Sequence, residues 1–563
     1  MSSSKSTEET ATGVGERPPD SSSEDAGDRK IVYLDRIEWI IAILLSAIVL
    51  FWLIARTTQA GPLWRDECDS LQLARMPRFA DLLENLHYTS FPLLFPVIVR
   101  AYTTLFGTSD IGVRYFGLAV GVLFLGVAWF QSRSINREVP LLLPALIGLN
   151  VNFLTAGLWL RGYGLGCVLI VLAFVLTTKF LLQPNAPRLI AVFLAYLASM
   201  QCLFFNGVLV PAIVLAAAVV FLVRGERKWM WLLLGAAAIC GLSYLPYILK
   251  VYFSISNWAM LLQLPFSFRM AGRQFVTACG ELHPIMSILW LGTVSLCVIG
   301  GIWRLKIAWN TNGRRERDLL LFGLLAIPLS ILAYGGFLRV LHNTILLRHY
   351  LALLCIIAAA TALIAANFSP YYWLRLGRIA LVVMAMFTLL FVPWTKINQR
   401  QSNIDIIARQ VEKDGRPSDL IVVNPWSVGI SFNHYYLGTN RWITVPAIND
   451  HQVHRYDLLR TKMMEFFPLD DVERDIAATL KSGNRVWIVG EILQTPPGRS
   501  PLVLAPAPDP KFGWQSSVYV KAWSREVGAF IRRHAVRVNP IVRRNGLVSE
   551  RENILLLACD GWR

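Results

Sequence analysis

Apolar runs about as long as a bilayer is thick recur through the first two thirds of the chain, separated by short polar stretches. The first spans Ile37 to Ala55. Others cover 112 to 131, 140 to 158, 163 to 182, 189 to 204, 207 to 223, 229 to 248, 284 to 303, 318 to 336, 350 to 367 and 379 to 395. This pattern predicts about 11 transmembrane helices. Ahead of them, residues 1–30 are rich in Ser, Glu, Gly and Pro, with too little apolar surface to offset the entropy of ordering, so a disordered tail is expected. The first run is too long for a signal-peptide core and follows too long a polar tail, which makes it an uncleaved anchor.

Between the first two runs the period changes. Phe79, Leu82, Leu83 and Leu86 recur at helical spacing with Arg78, Asp81 and Glu84 among them, which predicts a short amphipathic helix at the membrane interface. Ser90, Phe91 and Pro92 have the make-up of a helix start, but the run to Phe106 contains Pro96 and Arg100 and is short for a crossing, so it is assigned to the interface or to a half-entry. Lys250 to His283, carrying Arg269, Arg273, Glu281 and His283, is also too polar to span and is expected to pack over the membrane mouth. From about Lys396 strand-like runs (Leu420 to Asn424, Trp442 to Val445, Arg485 to Val489, Asn553 to Ala558) alternate with helix-like ones. Asp470 to Lys481 is such a helix, with an acidic first turn and Gly483 behind it. The expected architecture is a polytopic α-helical membrane protein: a tail at 1–30, a transmembrane domain at 31–395 and a soluble α/β domain at 396–563.

Composition agrees with a membrane protein, with 55% of the 563 residues hydrophobic. A net charge of +17 would ordinarily raise nucleic acid as a partner. Much of it lies instead in alternate short loops (Arg133 and Arg137, Lys179 and Arg188, Arg224 to Lys228, Arg304 to Arg317, Arg375 and Arg378), where basic residues mark the cytoplasmic side. Nucleic-acid binding is therefore discounted. The N-terminus is placed inside, and the odd number of spans puts residues 396–563 outside the cytoplasm of a multi-pass plasma membrane. Eight cysteines without any CxxC pair point to neither a zinc site nor a disulfide framework.

This sidedness filters the candidate chemistry, because a catalytic constellation must share one face. Just beyond the first span, LWRDEC sets Arg65 beside the adjacent carboxylates Asp66 and Glu67, either an acid/base pair or an ordinary polar loop. On the same face lie His87, Arg161 and Tyr163, then His342, Arg348, His349 and Tyr350. Arginines at span ends suit a lipid-linked phosphate, whose oxygens match the guanidinium fork, or they anchor helices at the headgroups. The tyrosines fit an interfacial aromatic belt equally well, and the histidines fit structural places. In the C-terminal part, NPWSVGISFNHYYLG supplies an aromatic helix that either stacks on an acceptor glycan or fills a core. His451, His454 and Asp457 read as a solvated face, since no fourth metal ligand accompanies them.

LWRDEC, FPLLFPVIVRAYTTLFG followed by SDIGVRYFG, LRGYGLGCVL and LLRHYLALL, taken in order, resemble the membrane-embedded GT-C glycosyltransferases over about residues 35 to 395. The likeness is to bacterial relatives of the protein O-mannosyltransferases, glycosyltransferase family 39. The resemblance implies inverting transfer of a hexosyl or pentosyl group from a polyprenyl-phosphate sugar to an envelope lipid, glycan or protein on the outer face. It makes Asp66 the catalytic carboxylate with Glu67 its neighbour, and assigns Arg161 and Arg348, with Arg65, to the donor phosphate. Tyr163, His87, His349 and Tyr350 then become substrate contacts. Relatives carry a His-Pro-Pro segment where this chain has Ser90, Phe91 and Pro92, so His87, three residues upstream, is the available histidine. The leaving phosphate is already charged and arginines can stabilise it, so no obligatory metal is expected. The competing class is a transporter or flippase of lipid-linked sugars, which calls for internal repeats and broken helices at matching places in two halves; neither is evident in the sequence.

Overall fold

The computed structural model describes residues 21–135, 138–247, 266–280, 284–311, 313–341, 346–391, 394–493 and 501–563. His342, Glu281 and His283 lie outside these, as does the expected tail before Ser21. From Ser21 onward the backbone is already helical and runs continuously into the first span as α1 (Ser21–Gln59), so the polar residues 21 to 30 extend that helix.

Among the described residues, eight helices are long and apolar enough to cross a bilayer: Tyr33–Gln59, Asp110–Ile135, Gly162–Leu182, Asn206–Arg224, Arg227–Tyr247, Pro284–Asn310, Arg314–Val340 and Leu347–Ala366. Three expected spans differ. The run at 140 to 158 is broken into a π-helical turn, Pro144–Gly148, and a short helix, Val151–Ala156, because Pro144 opens the turn and the Asn150 side chain accepts the Asn152 N–H at 2.9 Å to start a new helix. Ala186–Cys202 has 17 residues, fewer than the roughly 20 that a perpendicular crossing needs. Tyr372–Phe391 begins earlier than its apolar run because Arg375 and Arg378 turn inward to ion-pair with Glu38, each at 2.7 Å, and Arg378 also with Glu138 at 2.8 Å.

Between α1 and the next span three short helices lie against the bundle: α2 (Arg65–Ala74), α3 (Phe79–Asn85) and α4 (Leu94–Phe106). Both α3 and the 13-residue α4 are too short to cross, as the sequence led us to expect. Arg100 of α4 donates to the carbonyls of Ala74, Met76 and Pro77 and so satisfies the C-terminal end of α2. The turn into α2 passes through Gly61 at φ +64°, where a Cβ would meet the Arg400 side chain at 3.2 Å.

The C-terminal part is a sheet between two helical layers. Strands β1 (Leu420–Asn424), β2 (Trp442–Thr444), β3 (Val486–Gly490), β4 (Ala535–Val542) and β5 (Leu556–Trp562) run in the order β2-β1-β3-β5-β4, with the first three parallel and β5 and β4 antiparallel. β1 and β3 are buried throughout, as apolar strands covered on both faces should be. Tyr456–Met464, Asp470–Lys481 and Ser516–His534 supply one layer, Ile404–Asp414 and Gly429–Tyr435 the other. The second layer sits directly on α2. Tyr435 accepts the Leu63 N–H at 2.7 Å and donates to Asp110 at 2.8 Å, while Gln72 and Asn433 join side chains at 2.9 Å. The α/β domain and the loop bearing Asp66 thus share one face of the bundle.

Candidate active site

Two arginines from the spans fix α2. Arg114 is buried; it donates through Nε to Gly61 O (3.1 Å), through Nη2 to Pro62 O (2.7 Å) and through Nη1 to Glu67 Oε1 (2.6 Å). Arg161, just before Gly162–Leu182, donates through Nη1 to Asp66 O (2.8 Å), Asp69 Oδ2 (3.2 Å) and Ser70 Oγ (3.1 Å), with its guanidinium over the Phe91 ring. Successive side chains on a helix point about 100° apart, so Glu67 turns into the protein while Asp66 turns toward the α/β domain.

The Asp66 carboxylate lies inside a ring of basic groups. His454 Nε2, reaching over from the α/β domain, is 3.3 Å from Oδ1; Arg65 Nε is 3.9 Å from Oδ1 and Arg348 Nη2 is 3.9 Å from Oδ2. Burial by itself would raise its pKa, but the hydrogen bond from His454 and the charges of Arg161 and Arg65 hold the carboxyl well below the usual carboxylate range. Asp66 is therefore ionised at physiological pH. Its neighbour across one helical turn, Asp69, accepts the His454 backbone N–H at 3.0 Å, and burial pushes its carboxyl upward against the pull of Arg161. Glu552 closes the other side by accepting the N–H of Arg65 at 2.8 Å and contacting Ser431; burial, only partly offset by Arg65, raises it to about 7. Arg551 stacks on Trp159 at 4.5 Å, close to Arg348 on the same ring at 5.7 Å.

Behind Arg348 stands a small relay. The Leu346 N–H donates to His349 Nδ1 at 3.2 Å, which leaves the imidazole proton on Nε2 to donate to Tyr163 Oη at 3.1 Å. Arg348 Nε donates to the same oxygen at 3.2 Å. With both contacts accepted, the Tyr163 hydroxyl keeps its own proton for a further acceptor.

Of the residues singled out in the sequence, Asp66, Arg65, Arg161, Arg348, Tyr163 and His349 come together, with His349 holding Tyr163. Three do not fit their expected roles. Glu67 is fully buried and its carboxylate accepts from Arg114, from Leu160 N at 2.9 Å and from Trp64 N at 3.4 Å, so it is a structural anion rather than an acid/base group. Tyr350 is a core brace, donating to Ala271 O at 3.1 Å and packing on Tyr334 and Phe275. His87 packs on the Tyr88 ring, whose hydroxyl donates to Asp457. The expected solvated face at His451, His454 and Asp457 is also overturned for both histidines, which are buried at the domain junction. Sequence reading missed Asp69, Arg114 and Glu552, and placed His454 on a solvated face. Asp69 lies one helical turn from Asp66 and could have been found that way; the others are brought in by the fold. Among the described residues, no group of three or more His, Cys, Asp or Glu side chains is arranged to hold a metal ion.

The chain thus combines a helical membrane domain, an arginine-ringed carboxylate in its first loop and a C-terminal α/β domain seated over that loop. One solved structure with a similar fold is ArnT from Cupriavidus metallidurans in its apo state, with a TM-score of 0.50 and 12% identity over 92% of this chain and 97% of that one. ArnT bound to undecaprenyl phosphate matches at 0.47 with 12% identity over 92% and 98%, and the Archaeoglobus fulgidus oligosaccharyltransferase in complex with Zn and sulfate at 0.47 with 11% over 80% and 68%. At such identities the likeness is one of fold. No protein-family model and no curated protein matches the chain.

Proposed function

We propose that the protein is an inverting glycosyltransferase that moves a sugar from a polyprenyl-phosphate carrier to an acceptor hydroxyl outside the cytoplasm. The observation that carries this reading is the ionised Asp66 carboxylate facing Arg65, Arg348 and His454 at the junction of the two domains. Arg348 and Arg65 touch Asp66 only at 3.9 Å, so an incoming phosphate can take their donors. As the charge of Arg65 turns to the phosphate, Asp66 loses part of what depresses it and becomes a stronger base. The acceptor oxygen attacks the anomeric carbon while Asp66 takes the hydroxyl proton. The bond from that carbon to the phosphate oxygen breaks, and the polyprenyl phosphate departs as an anion held by the guanidinium groups. Arg161, with three acceptors on Nη1 inside the protein, positions α2 and adds charge.

The test is sugar transfer by membranes carrying wild type or Asp66→Asn, given radiolabelled polyprenyl-phosphate sugars and envelope extract. Asparagine keeps the size and removes the base, so transfer should fall by about 10²–10⁴-fold in a properly inserted variant. Equal transfer by both proteins removes Asp66 from the mechanism, and a wild type that moves lipid-linked sugar across the membrane without transferring it favours the flippase class.

A further inference from the structure

A cleft of about 590 Å³ opens between the short helices after the first span and the α/β domain. Its volume falls within the roughly 300–1,000 Å³ of small-molecule sites. Asn85 comes from the end of α3, Asn433 from Gly429–Tyr435, and Asn449, Asp450 and Gln452 from the loop after β2, with Trp442 of β2 at the base. Asn85 and Asn433 each spend an amide N–H on the protein, on Asp81 O and Gln72 Oε1 (both 2.9 Å), and the groups left over, with the amides of Asn449 and Gln452, supply donors and acceptors in a pattern that matches neighbouring hydroxyls of a sugar ring. Trp442, partly buried between His451 (centroids 4.5 Å apart) and Phe432 (5.3 Å), adds an apolar patch to the lining.

The lining contains no arginine or lysine among the described residues, in contrast to the groups around Asp66. Such walls suit an uncharged polyhydroxyl ligand rather than a phosphate. The loop is also held in shape before any ligand arrives. Asp450 pairs with Arg455 at 2.5 Å and accepts the Gln452 N–H at 3.0 Å; Arg455 pairs with Asp457 at 2.6 Å and stacks on Tyr88; and Thr444 Oγ1 accepts the Ile448 N–H at 3.1 Å. Little ordering is left to oppose binding. Two residues beyond Gln452 the chain reaches His454 on Asp66, a step of at most about 7 Å.

We infer that this cleft holds a non-reacting saccharide unit of the acceptor, which makes the acceptor a glycan or glycolipid whose next hydroxyl reaches Asp66. The inference rests on the glycosyl-transfer reading for the word acceptor, but its test reads binding alone. Purified full-length protein in a detergent without a sugar headgroup is titrated with the neutral probes mannotriose, maltotriose and chitotriose, followed by saturation-transfer NMR. At least one probe should bind wild type and Asp66→Asn alike, and about tenfold more weakly the double variant Asn449→Ala/Gln452→Ala, at unchanged melting temperature. No binding by any probe overturns the inference. So does binding that the double variant keeps and Asp66→Asn loses, because it would then belong to the reaction pocket. Failure here leaves the transfer reading standing, and failure of the transfer assay leaves the cleft result standing.

Discussion

At the scale of single residues, two adjacent carboxylates have been sent to opposite tasks by one helical step. Glu67 is the inward member, and its charge is matched by the ion pair with Arg114, 47 residues away. Removing one side of a buried pair leaves the other uncompensated, so Glu67→Ala should cost about 3–5 kcal/mol and show as a lowered melting temperature in detergent. Asp66→Asn should leave the melting temperature within a degree or two. Equal loss of stability in both would mean that Asp66, too, is structural. The adjacency of acidic residues beside an arginine was legible in the sequence. Which of the two does chemistry was not, because the answer depends on Arg114 and on the Leu160 N–H, neither of them near in the chain.

Elements show the same divide. The strands at 420 and 486 and the helix Asp470–Lys481 could be read almost to the residue, since continuous apolar runs and an acidic first turn are local signals. β4 was not, because it is an edge strand exposed along most of its length, and Pro540 cuts short the alternation of Val536 and Val538 with Arg537 and Asn539. The segment at 140 to 158 is apolar enough to span, yet Pro144 and Asn150 break it. One element-scale contact has a pH signature: Glu552, on the loop before β5, accepts the first N–H of α2. Its carboxyl is raised from 4.5 to about 7, so the stability tied to its neutral form is complete below about 4.5 and lost as pH rises through about 7. At about 1.4 kcal/mol per unit this amounts to roughly 3 kcal/mol. The α/β domain should therefore detach or melt more easily at pH 8 than at pH 5, and Glu552→Gln should flatten that dependence while leaving the wild-type difference as the reference. Arg65, Asp66 and Cys68 also face Glu552, but all remain in the variant, so only the change between the two proteins is read. Identical pH profiles would refute the assignment.

Over the whole molecule, the site is a joint between two domains. His454 meets α2 across 385 residues of chain, a separation at which no sequence spacing carries information, and its burial there explains why reading it as a solvated face failed. The membrane half was legible from hydrophobic period and from the order of its short motifs; the joint became visible only in three dimensions. If guanidinium groups carry the charge of the leaving phosphate, as proposed, transfer should be unchanged by EDTA, and a loss restored by a divalent cation would contradict that mechanism. The most direct test of the central claim separates holding the donor from reacting it: equilibrium binding of a radiolabelled polyprenyl-phosphate sugar to purified Asp66→Asn, alongside single-turnover transfer by the same preparation. Removing a negative charge from an arginine-lined pocket should leave donor binding as tight as in the wild type or tighter, with transfer down by about 10²–10⁴-fold. Binding lost in step with transfer, or transfer retained, would contradict the account.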